Sequence, residues 1–402
     1  MPIVSTPEET PELAGWARSI TRSALQVMLS EASRPDILSL ALGLPAAELF
    51  PWEAYGRAAA QLLETDANAL QYGPPSRVLK SQIVELMAQR GVACREEQVF
   101  LTAGAQQGIN LLARLLLEPG GSVMTEELTY TGCQQVLEPY QPKVLSVPTS
   151  AQSGIDVDAV ETYLENGARP AFIYTVTDGH NPLGVSLSRE KRERLAGLAR
   201  EFRVPIIEDD PYGFIHYEAA TPPLRAFDEN FVYYVGSFSK ILAPALRAGW
   251  LVVPEALSMH LSIIKEASDI DTGTFSQRAI STFIANGHLN GHLEKLRREY
   301  ATRRDAMLSS LGEHFAADAR WNVPTSGIFI WVELQREVST MELLKLAIER
   351  ERVAFIPGQA FSVGGTPRAT NCMRLNFSHS SAERIEEGVS RLARCLRLIE
   401  RA

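Results

Sequence analysis

Short apolar runs recur between amphipathic helical stretches along most of the chain. That alternation constrains the fold more than any other feature of the sequence. The clearest runs are Gln98 to Thr102, Ser122 to Thr125, Lys143 to Val147, Ala171 to Val176, Pro205 to Glu208, Phe231 to Val235 and Gly249 to Val253. Most are continuously apolar rather than alternating, which is the pattern of strands buried on both faces of a mostly parallel sheet. Helical periods, including Glu53 to Leu63, Arg77 to Arg90 and Ala105 to Leu117, are interspersed with them. Strand, helix, strand in that order predicts an α/β core, with helices covering the sheet. Long helices follow over Leu257 to Leu311. Beyond Phe315, strands at Gly327 to Glu333 and Cys372 to Phe377, with helices at Met341 to Glu351 and Glu383 to Arg401, predict a smaller α+β domain. The expected division is residues 1–50 as an arm and helix (Leu13 to Ala32) packing with the small domain, 51–290 as the large domain, and 291–402 as the small one.

Composition supports a globular chain. Of 402 residues, 45% are hydrophobic and 22% charged, so there is apolar material for a large core and no disordered profile. The net charge of −9 argues against a nucleic-acid partner. The acidic, Pro-rich start lacks the basic and apolar regions of a signal peptide, and no apolar run reaches the ~18 residues of a membrane span. Four cysteines, Cys94, Cys133, Cys372 and Cys395, are scattered without a C-x-x-C pair, so neither a disulfide framework nor a structural zinc site is expected. A cytoplasmic protein without a metal is the simplest reading. There is no Gly-Lys dipeptide for a phosphate loop, no His-Glu for a zinc helix, no G-x-S-x-G elbow, and no G-x-G-x-x-G after a strand.

Chemistry-bearing residues gather where strands end. Lys240 follows the run Phe231 to Val235 through Gly236-Ser237-Phe238-Ser239, and Arg247 follows it closely. A lysine at a buried strand end, beside hydroxyls and a guanidinium, fits either a strand-exit turn or a Schiff-base lysine next to a phosphate. Asp209-Asp210-Pro211-Tyr212 and His180-Asn181-Pro182-Leu183-Gly184 close two neighbouring runs. The C-terminal ends of adjacent parallel strands meet where such sheets bind ligands. At Leu101-Thr102-Ala103-Gly104-Ala105-Gln106 a strand turns into a helix whose free amides can take a phosphate, and Tyr130 closes a further run.

Taken together, Ser237-Phe-Ser-Lys240 with Leu246-Arg247, Asn181-Pro-x-Gly184 and Asp209-Asp-Pro-Tyr212, in this order, resemble the fold-type I aminotransferases of class I/II that use pyridoxal 5′-phosphate (PLP). The 2-aminoadipate and kynurenine branch is most similar, from Ile37-Leu-Ser-Leu-Ala-Leu-Gly-Leu-Pro45 to Cys372-Met-Arg-Leu-Asn376. The resemblance implies that Lys240 forms the aldimine and shuttles a proton, that Asp209 pairs with the pyridine nitrogen, and that Asn181 and Tyr212 bond the phenolic oxygen. Ser237, Ser239, Arg247 and the Ala105 and Gln106 amides would hold the phosphate, Tyr130 would stack on the ring, and Arg374 would take the substrate carboxylate. It also implies a homodimer in which Tyr72 reaches the neighbouring subunit's phosphate. An amino group would pass from an α-amino acid to a 2-oxo acid through pyridoxamine phosphate, with a specialised biosynthetic pathway as one setting. Elimination, carbon–carbon bond formation, decarboxylation or oxidation remain alternatives on the same scaffold. A PLP-binding transcriptional sensor is disfavoured, because the pattern begins too early for a winged helix.

Several residues depart from the family's pattern. Leu42 stands before Gly43 where relatives carry a glycine pair, so Leu42 is expected to reshape the substrate pocket. Ala105 replaces a serine. Asp178-Gly179-His180 stands where relatives carry an apolar-aromatic and glutamine stretch, and His180 reads as either an extra acid/base or a packed loop residue. Gln26 falls where an aminoadipate-type enzyme carries an arginine for a distal carboxylate; Arg18 and Arg22 lie nearby without an assigned role.

Overall fold

The computed structural model describes residues 12–18, 34–364 and 368–399. Its large sheet has seven strands: β1 (Val99–Thr102), β2 (Ser122–Glu126), β3 (Lys143–Val147), β4 (Ile173–Thr175), β5 (Ile206–Asp209), β6 (Val232–Ser237) and β7 (Gly249–Val252). Their spatial order is β1-β7-β6-β5-β4-β2-β3. β6, β5, β4, β2 and β3 run parallel, while β7 is antiparallel to both β6 and β1. β1 therefore points the same way as the parallel strands. Every residue of β1, β4, β5, β6 and β7 is buried, as their continuous apolar runs require.

Helices cover both faces, and several carry their own start signals. Ser76 accepts a hydrogen bond from the Leu79 amide at 3.2 Å and caps Arg77–Gln89; Asp156 and Ser188 do the same for Val157–Glu165 and Arg189–Phe202. The second layer is an antiparallel sheet in the order β8 (Ala319–Trp321), β9 (Phe329–Leu334), β11 (Cys372–Asn376), β10 (Ile356–Pro357). It packs with the helix Ala382–Ile399, and one apolar core runs through both layers. Leu38–Ser39 pairs in parallel with Val353–Ala354, which ties the N-terminal segment to the small layer.

The helix His288–His314 is continuous across residues 290 and 291, so no chain break marks the expected boundary there. Of the helix expected over residues 13–32, Gly15–Arg18 forms a turn, and Arg18 pairs with Glu12 at 3.4 Å on the exposed surface. Arg22 and Gln26 lie outside the described residues. Among the described residues, no helix is long and apolar enough to cross a membrane.

Candidate active site

The C-terminal ends of the parallel strands open onto a cavity of about 390 Å³. Gly43, Ala105, Gln106, Tyr130, Asn181, Asp209, Tyr212, Ser237, Ser239, Lys240, Arg247 and Arg374 all line it. Each strand delivers its residue by ending there. Asp209 closes β5, Ser237 closes β6, and Arg247 stands just before β7, whose reversed direction brings its start to the same edge.

Lys240 Nζ donates to the Gly43 carbonyl at 2.7 Å. Burial, with Arg374 and Arg247 nearby, lowers its pKa to about 8. Asp209 is buried; its Oδ2 accepts from the Tyr174 hydroxyl at 2.6 Å, while Oδ1 has no partner. Burial pushes this carboxyl up to about 7, with the Tyr174 hydrogen bond opposing and Asp210 adding. Burial likewise raises the Tyr212 phenol and pushes Tyr130 up to about 12, so both keep their protons.

Arg374, on β11, comes from the small layer. It is buried and donates to Asn181 Oδ1 at 2.7 Å and to the Ala41 carbonyl at 2.6 Å, and its Nε is unpartnered. Its guanidinium lies 4.1 Å from the Phe329 ring centroid and 5.0 Å from that of Phe361. Among the described residues it meets no carboxylate, and burial lowers its pKa to about 10. An isolated buried cation of this kind is costly until an anion joins it.

At the other end, Arg247 donates to the Ala103 carbonyl at 2.9 Å. Gly104, with φ +92°, precedes the helix Ala105–Leu116, and a Cβ there would come within 2.8 Å of the Arg247 guanidinium. The turn therefore needs glycine for both its backbone angle and its clearance. The first helical amides, those of Ala105 and Gln106, have no acceptor within the helix.

Three sequence candidates, Tyr72, Leu42 and His180, lie outside the cavity's lining. Tyr72 is 78% exposed and borders a different surface cleft. Leu42 also lines a separate cleft, between Ala41 and Gly43, whose carbonyls take the Arg374 and Lys240 bonds. His180 is buried below the cavity, with Nε2 2.9 Å from Glu126 Oε2 and Nδ1 accepting from the Leu183 amide at 3.3 Å. Both ring nitrogens are thus engaged in packing contacts. The sequence did not single out Phe329, Ile356 or Phe361, which wall the cavity from the small layer, nor Tyr174 beneath Asp209. Tyr174 carried one weak signal, a phenolic hydroxyl inside a buried and mostly apolar run.

A family model for aminotransferase class I and II matches residues 35–392. The chain belongs to that family. This aminotransferase is 34% identical over 391 residues to the aromatic-amino-acid aminotransferase 1 of Thermococcus litoralis, covering 95% of this chain and 93% of the relative. The kynurenine aminotransferase of Pyrococcus horikoshii, solved with PMP and kynurenine, superposes with a TM-score of 0.91 at 32% identity, over 97% of this chain and 98% of that one. The α-aminoadipate aminotransferase of Thermus thermophilus, complexed with N-(5′-phosphopyridoxyl)-L-leucine, gives 0.88 at 33% identity and the same coverage. The cofactor of this aminotransferase is PLP, and it moves an amino group from an amino acid to a 2-oxo acid. The cavity's residues fit that cofactor. The orphaned, buried Asp209 oxygen suits a ring nitrogen, the Gly104 turn with its free amides and Arg247 suits a phosphate, and the lowered Lys240 suits an aldehyde.

Proposed function

We propose that Lys240 is the residue that binds the cofactor covalently and carries the proton, and that the amino donor is a neutral α-amino acid with an apolar or aromatic side chain. The observation that carries this reading is Arg374: a buried guanidinium that meets no carboxylate among the described residues, near Lys240 and walled by Phe329 and Phe361. A substrate α-carboxylate supplies the missing anion in charge-assisted hydrogen bonds. The remaining wall, with Val176 and Ile356, offers apolar contact to the side chain. The cavity's cations among the described residues are Lys240, Arg247 and Arg374, and each already has a task, so a second carboxylate finds no partner there.

The cofactor, when bound, supplies a ring that accepts the electron pair left at Cα as its proton departs. Asp209 would take the ring nitrogen through Oδ1, the oxygen left without a partner. Asn181, whose Oδ1 is occupied by Arg374, keeps its amide N–H groups for the phenolic oxygen, together with the Tyr212 hydroxyl. Ser237, Ser239, Arg247 and the Ala105 and Gln106 amides would hold the phosphate, and Tyr130 would cover the ring. Lys240, whose pKa is lowered to about 8, would take the Cα proton through its neutral amine. Gly43 orients the Lys240 amine through its carbonyl.

We further infer a cytoplasmic homodimer in which Tyr72 of each subunit serves the other's phosphate. The exposure of Tyr72 and its place on a cleft separate from the cavity support this, and four free cysteines agree with a reducing compartment.

The test is to mix the PLP-loaded enzyme with single amino acids and no oxo acid. The visible cofactor band should decay, and mass spectrometry should find pyridoxamine phosphate and one equivalent of 2-oxo acid, fastest with leucine-like and aromatic donors. A preference for dicarboxylic donors would overturn the substrate reading. Retention of the band and of turnover by Lys240→Ala would overturn the assignment of Lys240.

A further inference from the structure

Tyr174 sits in the middle of β4, fully buried and outside the cavity's lining. Its hydroxyl donates to Asp209 Oδ2 at 2.6 Å, across the neighbouring strand β5. Among the described residues no other group donates a hydrogen bond to this carboxyl. Its two oxygens are therefore unlike: Oδ2 is clamped from within the sheet, and Oδ1 is free toward the cavity.

The arrangement bears on where a proton rests. A buried carboxyl without a countercharge prefers to be neutral. Facing a pyridine nitrogen, such a group keeps the proton itself and leaves the ring neutral, a weak electron acceptor. A hydrogen bond that favours the carboxylate tips the balance toward the ring nitrogen. The other ionisable groups around Asp209 do not supply that help. Asp210, just past the end of β5, adds negative charge nearby, and it is itself occupied by Arg90 at 3.0 Å and the Tyr234 hydroxyl at 3.0 Å. Tyr130, Cys133 on the helix Thr131–Leu137, and Tyr212 after β5 are all raised by burial and stay neutral. Tyr174 is also raised by burial and remains a proton-bearing donor.

We propose that Tyr174 is a positioning residue that fixes the Asp209 carboxylate and thereby keeps their shared proton on the cofactor's ring nitrogen. The inference rests on the reading of Asp209 given above. No bond other than the N–H to O hydrogen bond is involved: one proton is either on the ring nitrogen, opposite a carboxylate, or on Oδ1, opposite a neutral ring.

The experiment uses enzyme loaded with PLP labelled with ¹⁵N in the ring, and reads the nitrogen's chemical shift at neutral pH. The wild-type shift should be that of a protonated pyridine. Tyr174→Phe should move it toward the unprotonated value, because losing a hydrogen bond to a charged group changes the proton's partition by about ten- to a hundredfold. The ring and its packing persist in that variant, so a merely structural role predicts no movement, and an unmoved shift overturns the proposal. If Tyr174→Phe does not fold, 4-aminophenylalanine at position 174 keeps the shape with a weaker donor. It should move the shift in the same direction by less, and a wild-type value again overturns the proposal. Asp209→Asn separates the two readings. A nitrogen still protonated in Asp209→Asn means that the reading of Asp209 fails. A nitrogen deprotonated there but not in Tyr174→Phe means that Tyr174 alone fails.

Discussion

The place of Lys240 at the cavity was legible because the sequence shows where a buried strand stops, although alone the position fitted a strand-exit turn equally well, and the other strand ends were needed to single it out. Asp209 and Asn181 were legible on the same grounds. The sequence did not show which way neighbouring side chains turn. Asp209 and Asp210 read as one acidic cluster, yet successive residues of a strand point to opposite faces. Asp209 opens to the cavity, while Asp210 turns to Arg90 and Tyr234. His180 likewise left two readings open, and its bond to Glu126 favours packing. The altered state of Lys240 is open to measurement. An ordinary lysine is half neutral only at 10.5, whereas burial brings Lys240 to about 8. At pH 7 about a tenth of the apo-protein then carries a neutral amine, and at pH 9 most of it does. The rate at which apo-protein develops the visible PLP band should rise with pH and level off with a midpoint near 8. A rate still climbing in proportion to hydroxide at pH 10 would show an unperturbed amine.

At the scale of elements, the strand-end loops stand on a buried ionic frame that the sequence did not reveal. Arg90 ends the helix Arg77–Gln89 and donates to Asp178 beyond β4 at 2.9 Å and to Asp210 beyond β5 at 3.0 Å. Arg192, on the helix Arg189–Phe202, takes the other Asp178 oxygen at 2.7 Å. Burial disfavours the charge on Asp178, but the two arginines outweigh it and hold its carboxyl below the ordinary value. These contacts join residues up to 120 positions apart, so no local pattern announces them. They tie the loop bearing Asn181 to the strand bearing Asp209. Arg90→Met preserves most of the side chain's bulk but leaves Asp210 buried without its cation. Breaking one side of a buried pair costs about 3–5 kcal/mol. Urea unfolding should show a loss of that order in stability with an unchanged slope, and a loss under 1 kcal/mol would mean that the frame is incidental to stability.

For the molecule as a whole, the alternation of apolar runs and helices foretold the α/β layer closely. The reversed direction of β7 was not foretold, because an apolar run has no polarity of its own. Nor did periodicity show that the small layer supplies Phe329, Ile356 and Phe361 to the cavity, since that depends on how two layers meet. A third relation, between chains, is suggested by the surface. Tyr72, Met259 and Ile270 border one cleft and are 78%, 63% and 64% exposed, with Ile263 on the same helix as Met259 also 60% exposed. Apolar side chains grouped in this way mark an interaction surface. In the proposed homodimer, the partner covers this patch and Tyr72 completes the other subunit's phosphate site. A charge buried there without a counter-ion opposes association. Met259→Asp should therefore shift the sedimenting species from twice the chain mass toward a single chain. The same variant should release PLP more readily, although Met259 lies outside the cavity. A variant that stays dimeric and holds its cofactor normally would move the subunit contact to another face.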